Sequence, residues 1–328
     1  MRNRKKWLSL ILLSATLLVG CSQTGGEVPE KEKDVTALGE YNEKLVDLTT
    51  MRGEAIFTDV ALERIYEMRG FGVDVDNQAF YISQTYGSLP SDLMLTKVEN
   101  VDGVWSGTEW MHAYESGYGS MDVEKGSDGK TYLWLESNGT LEDIGTTISC
   151  VEWENEGFLQ REYGQTFTFD ECKGGYPSPQ VDSDNGWLVL RITSEGKDPY
   201  YAFYDRNSLL EGKKPVCLYT VTCAAGQKAL SGVDDSRGRY GAVTFRGFTV
   251  GGGYIYQVHG NSQGRIYIAA FDLKGNLVYC HMIKEYADMT FREPEALAYA
   301  DGKIYLLLTS GAKGDRLANV ITFEKRNR

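Results

Sequence analysis

The chain has 328 residues, enough to bury a sizeable core, and its 46 acidic and 34 basic residues give a formal net charge of −12. Because proteins hold nucleic-acid backbones through clustered Lys and Arg, this acidic balance argues against nucleic acid as a partner. Glycine is abundant (37), proline is scarce (7) and tyrosine reaches 21. Such a composition is typical of many short strands that are joined by glycine turns and packed through aromatic rings.

The first 21 residues have the pattern of a bacterial export signal. A basic start (residues 2–6) precedes an apolar run (residues 7–19) that is too short to span a bilayer comfortably. The run ends in Leu-Val-Gly-Cys21, which resembles the lipobox, where the signal is cut and the cysteine is lipidated, for example with palmitate. An uncleaved anchor helix and an ordinary secretory signal are the alternatives. We therefore predict a lipoprotein of the cell envelope, held by Cys21 at the outer face of the plasma membrane or at the outer membrane.

Residues 22–50 are predicted to be a flexible tether and a lead-in to the folded domain. Residues 22–34 combine Gly-Gly, one Pro and alternating Glu and Lys, with little apolar surface to bury. The apolar spacing of residues 35–50 fits either a short helix or the start of a strand. The β pattern takes over in the domain that we assign to residues 51–328.

Five hairpin patterns recur along this domain. The clearest spans residues 292–309, where Asp301-Gly302 separates two apolar runs; both centres of a type I′ turn need positive φ, which favours Asp-Gly. Looser copies start at Phe71, Gly119, Pro179 and Phe248. Small sheets that recur in this way predict radial repetition, as in a β-propeller.

We therefore predict an all-β fold, a five-bladed β-propeller, with the blade cores given at the end of this paragraph. The ring must close, because an open row of blades would expose sheet edges, and we expect residues 56–68 to complete the last blade beside residues 319–325. A four- or six-bladed propeller and a two-sheet β-sandwich remain alternatives. The predicted blade cores are at about residues 70–115, 117–165, 176–225, 245–290 and 292–326.

The starts of these hairpins resemble a known family. Arg69-Gly-Phe-Gly-Val-Asp, Gly117-Tyr-Gly-Ser-Met-Asp, Arg246-Gly-Phe-Thr-Val and Arg292-Glu-Pro-Glu-Ala-Leu are, in this order, similar to the TagC-like β-propellers. That family includes phage receptor-binding head domains and helveticin-type bacteriocins. The resemblance covers roughly residues 55–326 and implies a five-bladed propeller and, in the phage members, a link to cell-wall polymers. Where many members have Gly-His-Gly, this chain has Tyr118, so no role of that histidine carries over.

Three arginines precede the first strand of a hairpin: Arg69, Arg246 and Arg292. The innermost strands of a propeller line its channel, so equivalent positions are expected to converge at one mouth. Converging guanidinium groups suit carboxylate or phosphate ligands. The alternative is that each arginine pairs with a carboxylate such as Glu293 or Glu295 and fastens neighbouring blades.

Aromatic residues near the hairpin ends are candidates for stacking on sugars, although many of them must form core between blades. A ligand site at the channel mouth would combine such rings with charged groups. The predicted ligand-binding residues are Arg69, Arg246, Arg292, Glu295, Tyr118 and Trp134.

Motifs for metal binding and catalysis are weak, and we expect no cofactor and no metal. Residues 260–264 match the nucleophile-elbow pattern G-x-S-x-G, but a strand follows where a helix is required. The three histidines lack zinc spacing, and the Asx-rich turns at residues 74–77 and 182–185 lack further calcium ligands.

Five cysteines follow Cys21, and an exported chain permits disulfides. An odd number leaves at least one free thiol. Pairing of Cys217 with Cys223, pairing of Cys150 with Cys172, and burial as free thiols all remain open from the sequence.

The leading hypothesis is a lipid-anchored, non-catalytic recognition module. Its partner would be an envelope glycan, a polyol-phosphate polymer or an envelope protein. A second hypothesis is a propeller-based glycan lyase or glycosidase, which needs paired carboxylates across the mouth, with Glu295 and Glu124 as candidates. A third is a bacteriocin-like factor, against which a lipid tether counts, since a tethered toxin does not diffuse.

Overall fold

A computed structural model describes residues 34–87, 91–117, 119–140, 145–160, 163–223, 243–261, 265–284, 292–311 and 314–325. Strands dominate these residues. The helices among them are short: one α-helix (Arg206–Leu210) and three 3-10 turns (Val35–Leu38, Leu48–Thr50 and Asp170–Cys172). None of the helices in this part of the chain has the length and apolar character that a membrane span requires.

The strands of these described ranges form five sheets. In chain order they are β1 (Met51–Ala61), β2 (Met68–Asp74), β3 (Ala79–Thr85), β4 (Leu93–Val101), β5 (Val104–Tyr114), β6 (Met121–Lys125), β7 (Thr131–Ser137), β8 (Thr147–Glu152), β9 (Gly157–Gln160), β10 (Gln165–Phe167), β11 (Tyr176–Asp182), β12 (Trp187–Thr193), β13 (Tyr200–Asp205), β14 (Cys217–Thr222), β15 (Thr244–Gly251), β16 (Tyr254–Gly260), β17 (Ile266–Phe271), β18 (Leu277–Met282), β19 (Glu293–Ala300), β20 (Lys303–Ser310) and β21 (Leu317–Lys325).

The five sheets are the blades of a β-propeller. We number the blades 1 to 5 by their first strands β2, β6, β11, β15 and β19, and we call these the inner strands. Each inner strand contacts the next in this order, and β19 returns to β2, so the ring is complete. The prediction of five blades is confirmed, and the four-bladed, six-bladed and sandwich alternatives are wrong.

Blade 5 closes the ring by combining both ends of the domain. Its order is β19-β20-β21-β1, and β1 pairs antiparallel with β21 from Met51 opposite Lys325 to Ala61 opposite Leu317. The expected closure is confirmed, although the strand begins at residue 51 and the chain has already entered blade 1 at Met68. Pairing the two ends closes the ring, so the first and the last blade do not face solvent.

Blade 1 has a fifth strand. β9, from the stretch between β8 and β10, pairs in parallel with the outer edge of β5, with Met111 opposite Gly157. The chain then returns to blade 2, where β10 pairs antiparallel with β8. β9 therefore extends the rim of blade 1 beyond the four-stranded pattern of the other described blades.

Five apolar clusters hold the ring together, and each lies between two neighbouring blades. Between blades 5 and 1, for example, Leu307 packs in one cluster with Phe71 and Phe80. Since both faces of a blade are covered, strands such as β3 are buried along their whole length. This is why their sequences are nearly continuous apolar runs rather than clean alternations.

Residues 34–50, the predicted lead-in, lie against the turns that follow the inner strands of blades 3 and 4. Asn42 and Asn185 exchange backbone-to-side-chain hydrogen bonds of 2.6 and 3.3 Å. The Lys44 amide donates to the carbonyl oxygen of Gly252 at 2.8 Å, and the Val46 amide donates to the Tyr256 hydroxyl at 2.9 Å. The lead-in therefore lies on the face of the propeller at which the inner strands end.

The inner strands approach each other so closely that Gly70 has no room for a side chain. A Cβ at this position would lie 2.1 Å from the carbonyl oxygen of Gly119 in blade 2. We predict that Gly70→Ala lowers the free energy of unfolding by about 2–4 kcal/mol, because backbone must move. Urea denaturation measures this. The control is Gly107→Ala, whose Cβ would lie 3.0 Å from the Thr96 methyl and 3.8 Å from the carbonyl oxygen of Ala61, so it should change the value by less than about 1 kcal/mol. Equal losses in both variants would contradict the packing argument.

Candidate functional site

Three inner strands carry a β-bulge at the same end, and a charged residue occupies each bulge. The register shifts fall at Arg69 on β2, at Arg246 on β15 and at Glu295 on β19. A Cβ at Gly247 would lie 3.1 Å from the Cα of Ala296, so the β15 and β19 bulges stand at one level. Bulges re-aim side chains and recur next to functional sites. We call this end of the ring the mouth.

The bulges correct the predicted set of three equivalent arginines. Arg69 and Arg246 do occupy equivalent positions, but the position in blade 5 belongs to Glu295. Arg292 precedes β19, is buried, and donates from Nη2 to the carbonyl oxygen of Ile283 at 3.5 Å. Arg292 therefore links the entry of β19 to the segment after β18.

Carboxylates compensate the cations at the mouth. Arg69 Nη2 lies 2.5 Å from Glu67 Oε2, and Arg316 approaches the same carboxylate at 3.6 Å. Arg246 forms an ion pair with Glu293, one of the carboxylates considered from the sequence. The charges at the mouth are thus paired with opposite charges and do not form a positive ring. Because these pairs are partly solvated, they contribute little to stability by themselves.

Glu295 is buried at its bulge and accepts a hydrogen bond from Thr309 Oγ1 at 2.7 Å. Burial raises the pKa of this carboxyl to about 7, against the lowering effect of the Thr309 hydrogen bond, and the charge of Glu293 raises it further. At neutral pH the group therefore exists in both protonation states. It can donate a hydrogen bond as well as accept one.

A second tier of polar side chains surrounds the mouth, one at or near the end of the second strand of each blade. Sequence reasoning missed this tier. The sequence pattern that could have identified it is a polar residue at the end of an apolar run, as in Leu-Trp-Leu-Glu136 or Leu-Val-Leu-Arg191. The tier consists of Gln84, Glu136, Arg191, His259 and Thr309.

At blades 3 and 4, members of the tier contact an aromatic ring and other polar side chains. The Arg191 guanidinium carbon lies 3.8 Å above the centroid of the Phe245 ring, and Nη1 donates to Thr193 Oγ1 at 2.8 Å. His259 Nε2 lies 3.0 Å from Gln257 Oε1. Burial, with a smaller contribution from Arg191, lowers the pKa of His259 to about 4, so this imidazole is neutral at pH 7.

The assignment of Trp134 to the ligand site is wrong. Its ring is fully buried between blades 2 and 3 and stacks on Phe167 at a centroid distance of 5.7 Å. Its Nε1 donates to Glu124, which also pairs with Arg206 at 2.7 Å. The ring is core because both faces of β7 are covered by neighbouring blades. Two further predicted residues, Tyr118 and Cys21, lie outside the described residues.

The pair of carboxylates considered for a glycosidase does not form. Glu124 lies near the end of β6, whereas Glu295 lies near the start of β19. The inner strands run in the same direction around the axis, so the two side chains lie at opposite ends of the ring. Glycosidase chemistry needs its two carboxyl groups within roughly 10 Å of each other.

The described residues contain no group of three or more side chains placed to hold a metal ion. The Asx-rich turns are closed by their own hydrogen bonds, with Asn77 bonded to Asp74 and Asn185 bonded to Asp182. None of the five cysteines of the described ranges is joined in a disulfide, so neither pairing considered from the sequence is formed. Most of the nucleophile-elbow match (residues 262–264) lies outside the described residues, between strands β16 and β17.

No family model and no curated protein sequence matches the chain. Among solved structures, the fold is similar to the tail fiber of Staphylococcus aureus phage P68, with a TM-score of 0.67 and 17% identity over 85% of this chain and 54% of that chain. This chain thus spans about half the length of the fiber. Other matches include an exo-β-1,3-galactanase from Phanerochaete chrysosporium (TM-score 0.48, 10% identity, 82% and 64% covered) and a GH43 endo-arabinanase from Bacillus licheniformis (TM-score 0.42, 15% identity, 80% and 96% covered). The likeness to the tail fiber establishes a shared propeller fold.

Glu295 generates a pH prediction. Its folded pKa of about 7 exceeds the usual value near 4.5, so the native state binds more protons between these values. This group therefore makes the free energy of unfolding fall as pH rises from about 4.5 to 7. Glu295→Gln lacks that dependence, and we predict that it gains stability relative to the wild type between pH 5 and 8.

Urea denaturation of both proteins across this pH range measures the difference. Glu109→Gln is the control: burial alone would raise the pKa of Glu109, but hydrogen bonds from Trp153 and Lys97 outweigh it and lower the pKa. Its difference from the wild type should stay flat between pH 5 and 8. A flat difference for Glu295→Gln would contradict the assigned pKa.

Proposed function

We propose that this chain is a lipid-anchored, non-catalytic recognition module of the cell envelope that binds an envelope glycan or polyol-phosphate polymer at the mouth. The observation that carries the proposal is the set of three bulges that bring Arg69, Arg246 and Glu295 to one end of the ring. The shared fold with a phage tail fiber and the TagC-like hairpin starts are consistent with it.

The mouth has groups suited to an anionic or hydroxyl-rich ligand. The guanidinium of Arg246 keeps a buried Nε that has no partner among the described residues. A guanidinium presents its donors in a planar fork that fits phosphate and carboxylate oxygens. Glu295 has a pKa of about 7, so it can either accept a hydrogen bond from a ligand hydroxyl or donate one to it.

The pairing of opposite charges at the mouth also limits the kind of ligand that fits it. A polyanion held only by its charge would meet Glu67, Glu293 and Glu295 as well as the arginines. A polymer whose phosphates are separated by hydroxyl-bearing units fits such a lining better, because each unit finds its own partner. This supports a glycan or polyol-phosphate polymer over a simple polyanion.

We predict that the double variant Arg69→Ala/Arg246→Ala loses at least about tenfold in retention on purified cell-wall material and on a glycan array. The reason is the loss of charge-assisted hydrogen bonds, each of which contributes roughly 1.5–3 kcal/mol. The matched control, Lys130→Ala/Lys213→Ala, removes two exposed cations that pair with Glu152 and Glu211.

Equal losses of retention in the double variant and its control would mean that net charge determines retention, and they would contradict the assignment of the site to the mouth. The non-catalytic role is checked in the same samples by assaying newly released reducing sugar ends. Release by the wild type that disappears in Glu295→Gln would favour the glycosidase hypothesis instead, since a carboxyl group with a pKa near 7 suits a general acid.

The anchor gives a separate prediction. If Cys21 carries the lipid, Cys21→Ser should move the protein from the membrane fraction to the soluble fraction and abolish incorporation of labelled palmitate, because a protein without acyl chains loses that membrane affinity. The control is Cys280→Ser, which changes a half-buried free thiol of blade 4. Unchanged fractionation of Cys21→Ser would reject the anchor.

A further inference from the structure

A row of aromatic and polar side chains crosses the edge of blade 1 on the mouth side, apart from the three bulges. The guanidinium carbon of Arg64 lies 4.6 Å above the centroid of the Tyr86 ring, and Nη2 donates to the Tyr86 hydroxyl at 3.3 Å. The Tyr86 ring stacks on the imidazole of His112 with centroids 4.5 Å apart. The imidazole in turn meets the edge of Phe158 at 4.9 Å.

Buried polar groups hold this row in place from below. His112 Nε2 lies 2.5 Å from Oδ1 of the buried Asp92. The fully buried amide of Gln84 accepts from the Arg64 amide at 3.2 Å and donates to the carbonyl oxygens of Arg64 at 2.6 Å and Tyr66 at 3.1 Å. The side chains of the row are therefore positioned before any ligand arrives, which lowers the entropy cost of binding.

The top of the row is open to solvent. Phe158 is 56% exposed. Two large apolar residues that directly follow Arg64 are also exposed: Ile65 (54%) and Tyr66 (43%). Phe158 reaches this position because β9, the extra strand of blade 1, sets it directly opposite His112. A fifth strand thus adds an exposed ring to a row that is otherwise half-buried.

The row runs outward from the mouth. Its inner end, Arg64, lies three residues before Glu67, the ion-pair partner of Arg69. From there it crosses the ends of β3 and β5 to reach β9 at the rim. A linear polymer that lies in the mouth could continue along this row without leaving the surface.

The chemistry of the row differs from that of the mouth. It holds one arginine, which already lies over a tyrosine ring, and one carboxylate, which is bonded to an imidazole. Flat rings stack on the C–H face of a pyranose, and guanidinium and imidazole groups bond its hydroxyls. Among the described residues, Arg64 Nε is buried without a partner, so a donor remains to be satisfied.

We infer that this row is a second subsite, which takes an uncharged sugar unit of the polymer whose charged units lie in the mouth. The inference rests on the proposed function and extends it by assigning separate places to the two kinds of unit. It also assigns a role to β9, because without that strand the row would lack its outermost ring.

The experiment uses the full chain and two immobilised probes: eight-repeat polyol-phosphate oligomers with and without a hexose on each repeat. Phe158→Ala should lower affinity for the hexose-bearing probe about tenfold, to the level of the bare probe, and leave the bare probe unchanged. Since Phe158 is more than half exposed, the variant should fold; its urea midpoint checks this. The control is Val104→Ala, a 65% exposed position at the start of β5, at the other end of the same blade.

The outcomes separate the two sites. Loss of both probes in Arg69→Ala/Arg246→Ala, with selective loss of the hexose-bearing probe in Phe158→Ala, supports both. If Phe158→Ala lowers affinity for the hexose-bearing probe but the double arginine variant changes neither affinity, the row is supported as a sugar site and the mouth is rejected as the site of the charged units. No effect of Phe158→Ala, or an equal effect on both probes, overturns the sugar subsite, and failure of the wild type to retain either probe overturns both sites.

Discussion

The antiparallel pairing of β1 with β21 is the constraint on which the site depends. By joining the first strand of the domain to the last, it places blade 5 beside blade 1. Contacts across this joint build one side of the mouth: Arg316 of blade 5 reaches Glu67 before blade 1, and Thr309 lies 3.6 Å from the sulfur of Met68. A ring left open here would separate these groups by the width of the domain, and no common mouth would exist.

Within the closed ring, charge is distributed in pairs rather than concentrated. Each bulged arginine has a carboxylate partner, and the third bulge carries an acid whose pKa lies near neutrality. Such a lining suits a ligand that offers anions and hydroxyls in alternation. It also connects the mouth to the nearly neutral row on blade 1, because both are positioned by the same strand ends.

The sequence predicted the fold well because propeller hairpins leave local signals. Asp301 and Gly302 both have positive φ (50° and 68°), as the turn between β19 and β20 requires, and counting such hairpins led to five blades. The site was predicted less well, since a bulge inserts one residue without a signature of its own; Arg292 therefore seemed equivalent to Arg69. Trp134 was misassigned because strands covered on both faces show no alternation that separates core from surface.

The most direct test of the shared mouth follows the guanidinium groups themselves. In the full chain with 15N-labelled arginine, the Nε–H signals of Arg69 and Arg246, assigned through their single alanine variants, are recorded by NMR while eight-repeat polyol-phosphate oligomer is added. Both signals should move together along one saturation curve, because one ligand contacts both bulges. Signals that stay still, or that saturate at different ligand concentrations, would contradict a mouth shared by Arg69 and Arg246.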